Sequence, residues 1–302
     1  MLKSAGVLNA RTGRTLYEGA LIREGEGFGC VHPWPELGDP SLQECLEDLS
    51  GARKVPLVRR ALDCVAADGQ ARREGRSLFE GVEVPLSHAT LPRFDDEAVR
   101  EAVGRGFTHV KVKAGRGCIG EFERLRKLVG EWPELRWRVD LNGTGREEEL
   151  GAILNSWTVV ERAAIDFLED PFEFVGENWK RAQKEWGVDF GNDQWVEKEK
   201  GESRVVILKP AVQEVSFFQQ RRVVTSYMDH PVGQAFAAFE AARAGITEVS
   251  GLQTHGVFER DIFTEELGEV GPIFRTPEGT GLGFDNSLEK LPWVRGGRLK
   301  NK

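Results

Sequence analysis

The rhythm of hydrophobic and polar positions changes near residue 83. Before it the pattern is mixed. Residues 16–23 alternate as a strand would, 25–38 are rich in glycine and proline and read as a loop, and 41–48 and 58–74 carry apolar residues at helical spacing. Ser41, with Glu44 three residues later, is a capping box opening the first of those helices. Beyond residue 83, short apolar runs alternate with helical stretches. The candidate strands are 82–86, 108–113, 136–141, 164–168, 188–191, 205–208, 223–226 and 248–252, with helix-like segments such as 95–103, 121–131, 146–159 and 233–244 between them. Eight strands with intervening helices predict a parallel α/β barrel, because parallel neighbours need crossover connections. An open doubly wound sheet is the alternative, disfavoured because no phosphate-binding glycine turn follows the first strand.

A chain of 302 residues buries a large core, and 40% hydrophobic with 30% charged residues describes an ordinary globular protein. The formal charge of −8 offers no basic footprint for nucleic acid. No apolar run approaches the roughly 20 residues that cross a bilayer, and residues 1–11 lack the charged-then-apolar pattern of a secretory signal. Cys30, Cys45, Cys64 and Cys118 are scattered, without CxxC spacing or paired histidines, and read as reduced thiols. These features predict a cytoplasmic protein without membrane or nucleic-acid partners.

Candidate chemistry lies where charges end the strands. In His109-Val110-Lys111-Val112-Lys113, Val110 and Val112 suit an outer, helix-packed face, so Lys111 and Lys113 point into the barrel at its C-terminal mouth. The same alternation turns Arg138, Asp140 and Asn142 inward. Glu169 follows Ile165 and Phe167 on the inward phase, Asp166 falls on the outward phase, Asp193 ends the fifth strand, and Lys209 follows Val205 and Ile207 on the sixth. Each alone reads equally well as a solvated charge at a strand end. Five such residues ending five different strands point to one site, since barrel enzymes draw catalytic groups from several strand ends on this face. Unpaired charges in a barrel would cost several kcal/mol each, by the figures for buried ions. Lysines facing carboxylates reduce that cost, and three carboxylates with room for water and substrate suit a hard cation. Sparse histidine argues against zinc.

At Lys111-Val112-Lys113, Asp140 in RVDLNG, Glu169 in LEDP, Asp193 in GNDQW and Lys209 in ILKP, the chain resembles the enolase superfamily, in its muconate cycloisomerase-like branch. Within that branch, RVDLN, the stretch GFGCVHPWPELGDPSLQE and the segment from Thr225 to Gly233 resemble the o-succinylbenzoate synthase family. The eighth strand ends Gly251-Leu252-Gln253-Thr254, without the Asp-x-Asp of dipeptide epimerases. The resemblance implies a (β/α)7β modified TIM barrel with an α+β capping domain. It divides the chain into 1–82 (cap), 83–260 (barrel) and 261–302 (a segment returning to the cap). Gly27-Phe28-Gly29 and Pro33-Trp34-Pro35 would belong to the cap and its mobile loop, and His109 to the barrel core.

The resemblance further implies Mg²⁺, with Mn²⁺ as a substitute, held by Asp140, Glu169 and Asp193. Lys113, Lys209 and Lys111 would be catalytic, and Arg138, Asn142, Ser226, Gly233 and Gly251 would bind a small carboxylate substrate. Members use a lysine or histidine base with a divalent ion stabilising an enediolate. The implied reaction is syn dehydration of 2-succinyl-6-hydroxy-2,4-cyclohexadiene-1-carboxylate to 2-succinylbenzoate, a step of menaquinone biosynthesis. Lys113 would act as base and then acid, with Lys209 a cation on the opposite face. An N-acylamino acid racemase or epimerase needs the same two lysines and is the main rival; a non-catalytic barrel that binds without turnover is the other.

Overall fold

A computed structural model describes residues 1–294 except 5, 7, 9–12 and 92. Two small antiparallel pairs open the chain: β1 (Leu2–Lys3) with β2 (Leu16–Tyr17), and β3 (Ala20–Glu24) with β4 (Gly27–Val31). Helices α1 (Leu42–Leu49) and α2 (Pro56–Arg73) follow. The predicted capping box is present, Ser41 accepting from the Glu44 N–H while Glu44 accepts from the Ser41 N–H. Within the stretch 25–38 expected to be a loop, residues 27–31 are instead a buried strand lying flat on α2. A Cβ at Gly27 would stand 2.0 Å from the Val65 carbonyl oxygen, and one at Gly29 2.5 Å from that of Ala61. The glycines are there so that two backbones can touch.

Seven parallel strands form the main sheet in sequential order: β5 (Ala89–Leu91), β6 (His109–Lys113), β7 (Arg136–Asp140), β8 (Ile165–Glu169), β9 (Phe190–Asn192), β10 (Val205–Leu208) and β11 (Arg221–Val224). The eighth strand expected at 248–252 is reduced to single parallel bridges, Ser250 to Ser87 and Gly251 to Thr225, which join the two edges of the sheet. The first strand lies beyond the expected 82–86, because Pro85 lacks a ladder N–H and the buried run begins only at Ser87.

Crossover helices α3 (Asp96–Gly104), α4 (Cys118–Glu131), α5 (Glu147–Asn155), α6 (Val159–Ala163), α7 (Gly176–Trp186) and α8 (Pro231–Arg243) cover the outside. The single helix expected at 146–159 is two, because Thr158 caps a new one with its own box to Glu161. Between β9 and β10 only a 3₁₀ turn, Val196–Lys198, survives, and no helix joins β10 to β11. The outer faces of Val206, Leu208 and Val224 are covered instead by α8 and by Phe28, Phe263, Phe274 and Leu282, in one core shared with the cap. Short α9 (Ile262–Leu267) and α10 (Asp285–Glu289) bring the C-terminal region against α2: Leu282 N–H donates to Asp68, and Arg72 reaches Asp285. Residues 295–302 of the expected returning segment lie outside the described residues. Among the described residues no helix is long and apolar enough to cross a membrane.

Candidate active site

The strand ends converge at the C-terminal mouth. Register places Lys113 beside Asp140, Asp140 beside Glu169 and Glu169 beside Gly191, so three neighbouring strands finish level with one another. Val110 and Val112 are wholly buried in the outer core, which turns Lys111 and Lys113 to the inner face. The two lysines then differ. Lys111 Nζ sits 2.6 Å from Glu169 Oε1 and 3.1 Å from Asp140 Oδ2, whereas Lys113 is exposed at the rim. Lys209, just past β10, donates to Asp193 Oδ2 at 2.5 Å.

These groups set one another's protonation. Burial pushes Glu169 up to about 7; Lys111 opposes that shift, and the Asp140 and Asp193 charges reinforce it. Burial acts the same way on Asp140, but Lys111 and Lys113 outweigh it and hold that carboxyl below its ordinary value. Burial works against both buried ammonium groups. Asp140, Glu169 and Asp193 overcome it at Lys111 and Asp193 does so at Lys209, so both lysines stay charged well into alkaline solution.

Asp170 belongs to this cluster and alternation hid it. It follows Glu169 on what should be the outward phase, but its φ of +43° turns the chain there. Its Oδ1 accepts from the N–H groups of Asp193 and Gln194 at 3.0 and 3.4 Å, which holds the Asp193 loop in place. Burial, with the charges of Asp193 and Glu169, raises its carboxyl well above the ordinary range.

Below this layer, Asp166 is not outward. The pairing of β7 with β8 shifts by one residue between Trp137 and Arg138, so Asp166 is the extra residue of a bulge and turns inward. It accepts from Arg138 Nε at 2.7 Å and from Arg221 Nη2 at 2.8 Å. The Arg138 guanidinium also lies 4.7 Å from the centre of the Phe167 ring and 2.9 Å from His88 Nδ1. With 0% of its side chain exposed, Arg138 braces the barrel floor, and the expectation that it grips substrate is corrected. His109 stands on the same lower level, half-buried beside Thr108.

The remaining expected binding residues divide. Asn142 is exposed at φ +50° and donates its N–H to Asp140 Oδ1 at 3.1 Å. Ser226 is buried past the seventh strand, its Oγ 3.0 Å from Thr254 Oγ1. The backbone amides of Gly233 and Gly251, expected to take a carboxylate, are spent inside the fold: Gly233 N–H donates to the His230 carbonyl at 2.7 Å and Gly251 N–H to that of Val224 at 2.8 Å. An amide so engaged has no second proton to give. Asp189 lies at the opposite end of the barrel beside Arg204 and Arg221.

The donor set fits a hard divalent ion: all its atoms are carboxylate oxygens, Asp193 Oδ1 is buried without a partner among the described residues, and burial, reinforced by the Asp140 and Asp193 charges, lifts Glu169. Lys111 and Lys209 now take up part of that negative charge, and among the described residues no three acidic, histidine or cysteine side chains are gathered closely enough to hold a metal as they stand. A cavity of about 500 Å³ lies among Leu2, Leu21, His32, His230, Phe263 and Trp293, none of them a strand-end residue of the mouth.

Residues 1–71 match the family model described as the N-terminal domain of O-succinylbenzoate synthase. The chain is 32% identical to the o-succinylbenzoate synthase of Bdellovibrio bacteriovorus, an alignment covering 97% of this chain and 96% of that one. Three solved structures share the fold. A mandelate racemase/muconate lactonizing protein from Herpetosiphon aurantiacus has a TM-score of 0.73 at 16% identity, covering 88% of this chain and 96% of its own. A dipeptide epimerase from Enterococcus faecalis has a TM-score of 0.70 at 15% identity, covering 89% and 97%. An enolase-superfamily member from Listeria innocua has a TM-score of 0.70 at 17% identity, covering 87% and 84%.

Proposed function

The chain belongs to the o-succinylbenzoate synthase family of the enolase superfamily, and from that premise we propose that it dehydrates 2-succinyl-6-hydroxy-2,4-cyclohexadiene-1-carboxylate to 2-succinylbenzoate. The observation that carries the reading is the convergence of Lys113, Lys209 and three carboxylates, from five strand ends, on one mouth. In this reading the protein serves menaquinone biosynthesis in the cytoplasm, and the division at residues 82 and 260 into cap, barrel and returning segment stands with it.

The chemistry asks for removal of a proton next to a carboxylate and loss of a hydroxyl. Lys113, exposed at the rim beside Asp140, takes the proton on one face of the ring. It returns that proton to the hydroxyl leaving from the same face; the C–O bond breaks, water departs and the ring becomes aromatic. Lys209, fixed as an ammonium by Asp193, supplies positive charge on the other face and can rest against the ring. Lys111 favours the ionised form of Asp140, opposes the upward shift of Glu169 and orients both carboxylates. Asp140, Glu169 and Asp193 would hold Mg²⁺, or Mn²⁺ in its place, and such an ion supplies Lewis-acid stabilisation of the charge that develops on the substrate carboxylate. Asn142 and Ser226 are the binding candidates that remain at the mouth.

The test is a spectrophotometric assay of aromatisation. Turnover is expected with Mg²⁺, loss with EDTA, and recovery on adding the ion back; a protein inert under all three conditions would refute the reading. Two lysines flanking one site would also serve an N-acylamino acid racemase. Incubation with N-acylamino acids in D₂O separates the two, α-deuteration without aromatisation favouring the racemase.

A further inference from the structure

The cap meets the barrel mouth through a hydrogen bond that no step above uses. Tyr227 follows the seventh strand directly, after the Thr225–Gly251 bridge. Its ring is buried with Tyr17, Trp34, Leu57 and Phe258, and Ala211 and Val212, which continue the chain from Lys209, pack against the same cluster. Its hydroxyl donates to Asp39 Oδ2 at 3.0 Å, across 188 residues of chain. The same carboxylate oxygen accepts from the Trp34 N–H at 2.8 Å. Residues 34–39 are wound tightly between these contacts. Pro35–Leu37 form a 3₁₀ turn, Leu37 N–H donates to the Trp34 carbonyl, and Gly38 closes the turn at φ +99°, where a side chain would be strained. One oxygen atom thus ties both ends of the cap turn to the barrel.

The pair stands on the Lys209 flank of the site. Burial raises the Asp39 carboxyl, with the field of Lys209 among the influences that oppose it; burial likewise raises the Tyr227 phenol, with Asp193 among the charges that add to the effect. A phenol placed this deep needs a partner for its hydroxyl, since an unpaired one would be destabilising. The apolar neighbours would accept a phenylalanine ring equally well, so the hydroxyl is specific to Asp39.

We propose that the Tyr227–Asp39 hydrogen bond fastens the cap turn onto the barrel rim beside Lys209, making Tyr227 and Asp39 positioning residues that keep this flank of the mouth closed. The inference rests on the reading of the mouth as the active site. Breaking the bond opens the flank part of the time and leaves Lys113 and the carboxylates untouched. The loss therefore falls on apparent substrate affinity, which scales with the fraction of closed molecules.

Three variants test it. Tyr227→Phe keeps the packed ring and removes only the hydroxyl. Asp39→Ala removes the acceptor, and Asp39→Asn restores one through its amide oxygen. Y227F and D39A should each raise KM by about three- to ten-fold, the weight of one ordinary hydrogen bond, with kcat changed less. D39N should lie near wild type, and the double variant Y227F/D39A should be no worse than the poorer single variant. Hydrogen exchange supplies a readout that does not depend on turnover: amides of residues 34–39 should exchange faster in Y227F, with those of β6 unchanged. Unchanged KM and unchanged exchange in Y227F would overturn the proposal, as would fully additive effects in the double variant. Y227F carries the test by itself should D39A not fold. If the wild-type protein shows no aromatisation, the functional reading falls and the exchange comparison alone decides the fastening.

Discussion

Two lysines separated by one residue have opposite physical situations. Lys111 is held between Glu169 and Asp140, so its charge belongs to the architecture, while Lys113 is exposed at the rim. Lys113→Ala should therefore lower turnover by about 10²–10⁴-fold, the usual weight of general acid–base chemistry, while thermal unfolding shifts little. A large fall in melting temperature would show that Lys113 is structural. Asp229 offers a second residue-scale prediction. Burial pushes its carboxyl from 3.8 up to about 7, and among the described residues its Oδ1 has no partner. The folded protein keeps a proton there that the unfolded chain has already lost, so stability falls as pH rises from about 4 through 7. Asp229→Asn should remove that loss, narrowing the difference in melting temperature between pH 5 and pH 8. Alternation along the strands was enough to direct Lys111, Asp140 and Glu169 inward. It failed at Asp166 and Asp170 because a bulge and a left-handed backbone break the period of two, and neither leaves a mark in residue type. It also said nothing of Gly233 and Gly251, whose amides are claimed by neighbours distant in sequence or in the first turn of a helix.

Helices with their own start signals were legible. Ser41 opens α1 and Asp95 caps α3 through the Ala98 N–H, both close to where the pattern placed them. Strand β4 was not, since glycine is depleted in strands and its reason for being there lies on another element, the backbone of α2. Gly27→Ala places a methyl group into the Val65 carbonyl, contact that neither backbone can relieve without separating. The expected cost is about 1–3 kcal/mol or more, as for other overpacked cores, read as a lower midpoint in urea. A neutral outcome would mean that β4 and α2 are not pressed together as described. The missing helix between β10 and β11 was hard to foresee for a similar reason. A missing crossover helix is tolerated only because α8 and the C-terminal aromatics cover the exposed sheet face, and periodicity records helices that exist, not covers supplied from elsewhere.

For the molecule as a whole, the alternation of strand and helix beyond residue 83 sufficed to indicate a barrel, since parallel neighbours admit few other arrangements. What it left out is how the first and last parts of the chain complete each other. Asp68, wholly buried on α2, accepts from the N–H of Phe28 at 2.9 Å, from the N–H of Leu282 at 2.7 Å and from Arg72 Nε at 2.7 Å. Two of those donors come from one end of the chain and the third from more than two hundred residues later. During synthesis the helix that carries Asp68 is made long before Leu282, one of its obligatory donors, which follows 214 residues later. The nascent cap must therefore wait, with a carboxylate only partly satisfied, until the barrel is already built. A chain stopped at residue 280 should leave the amides of α2 open to exchange while those of β6 to β8 remain protected.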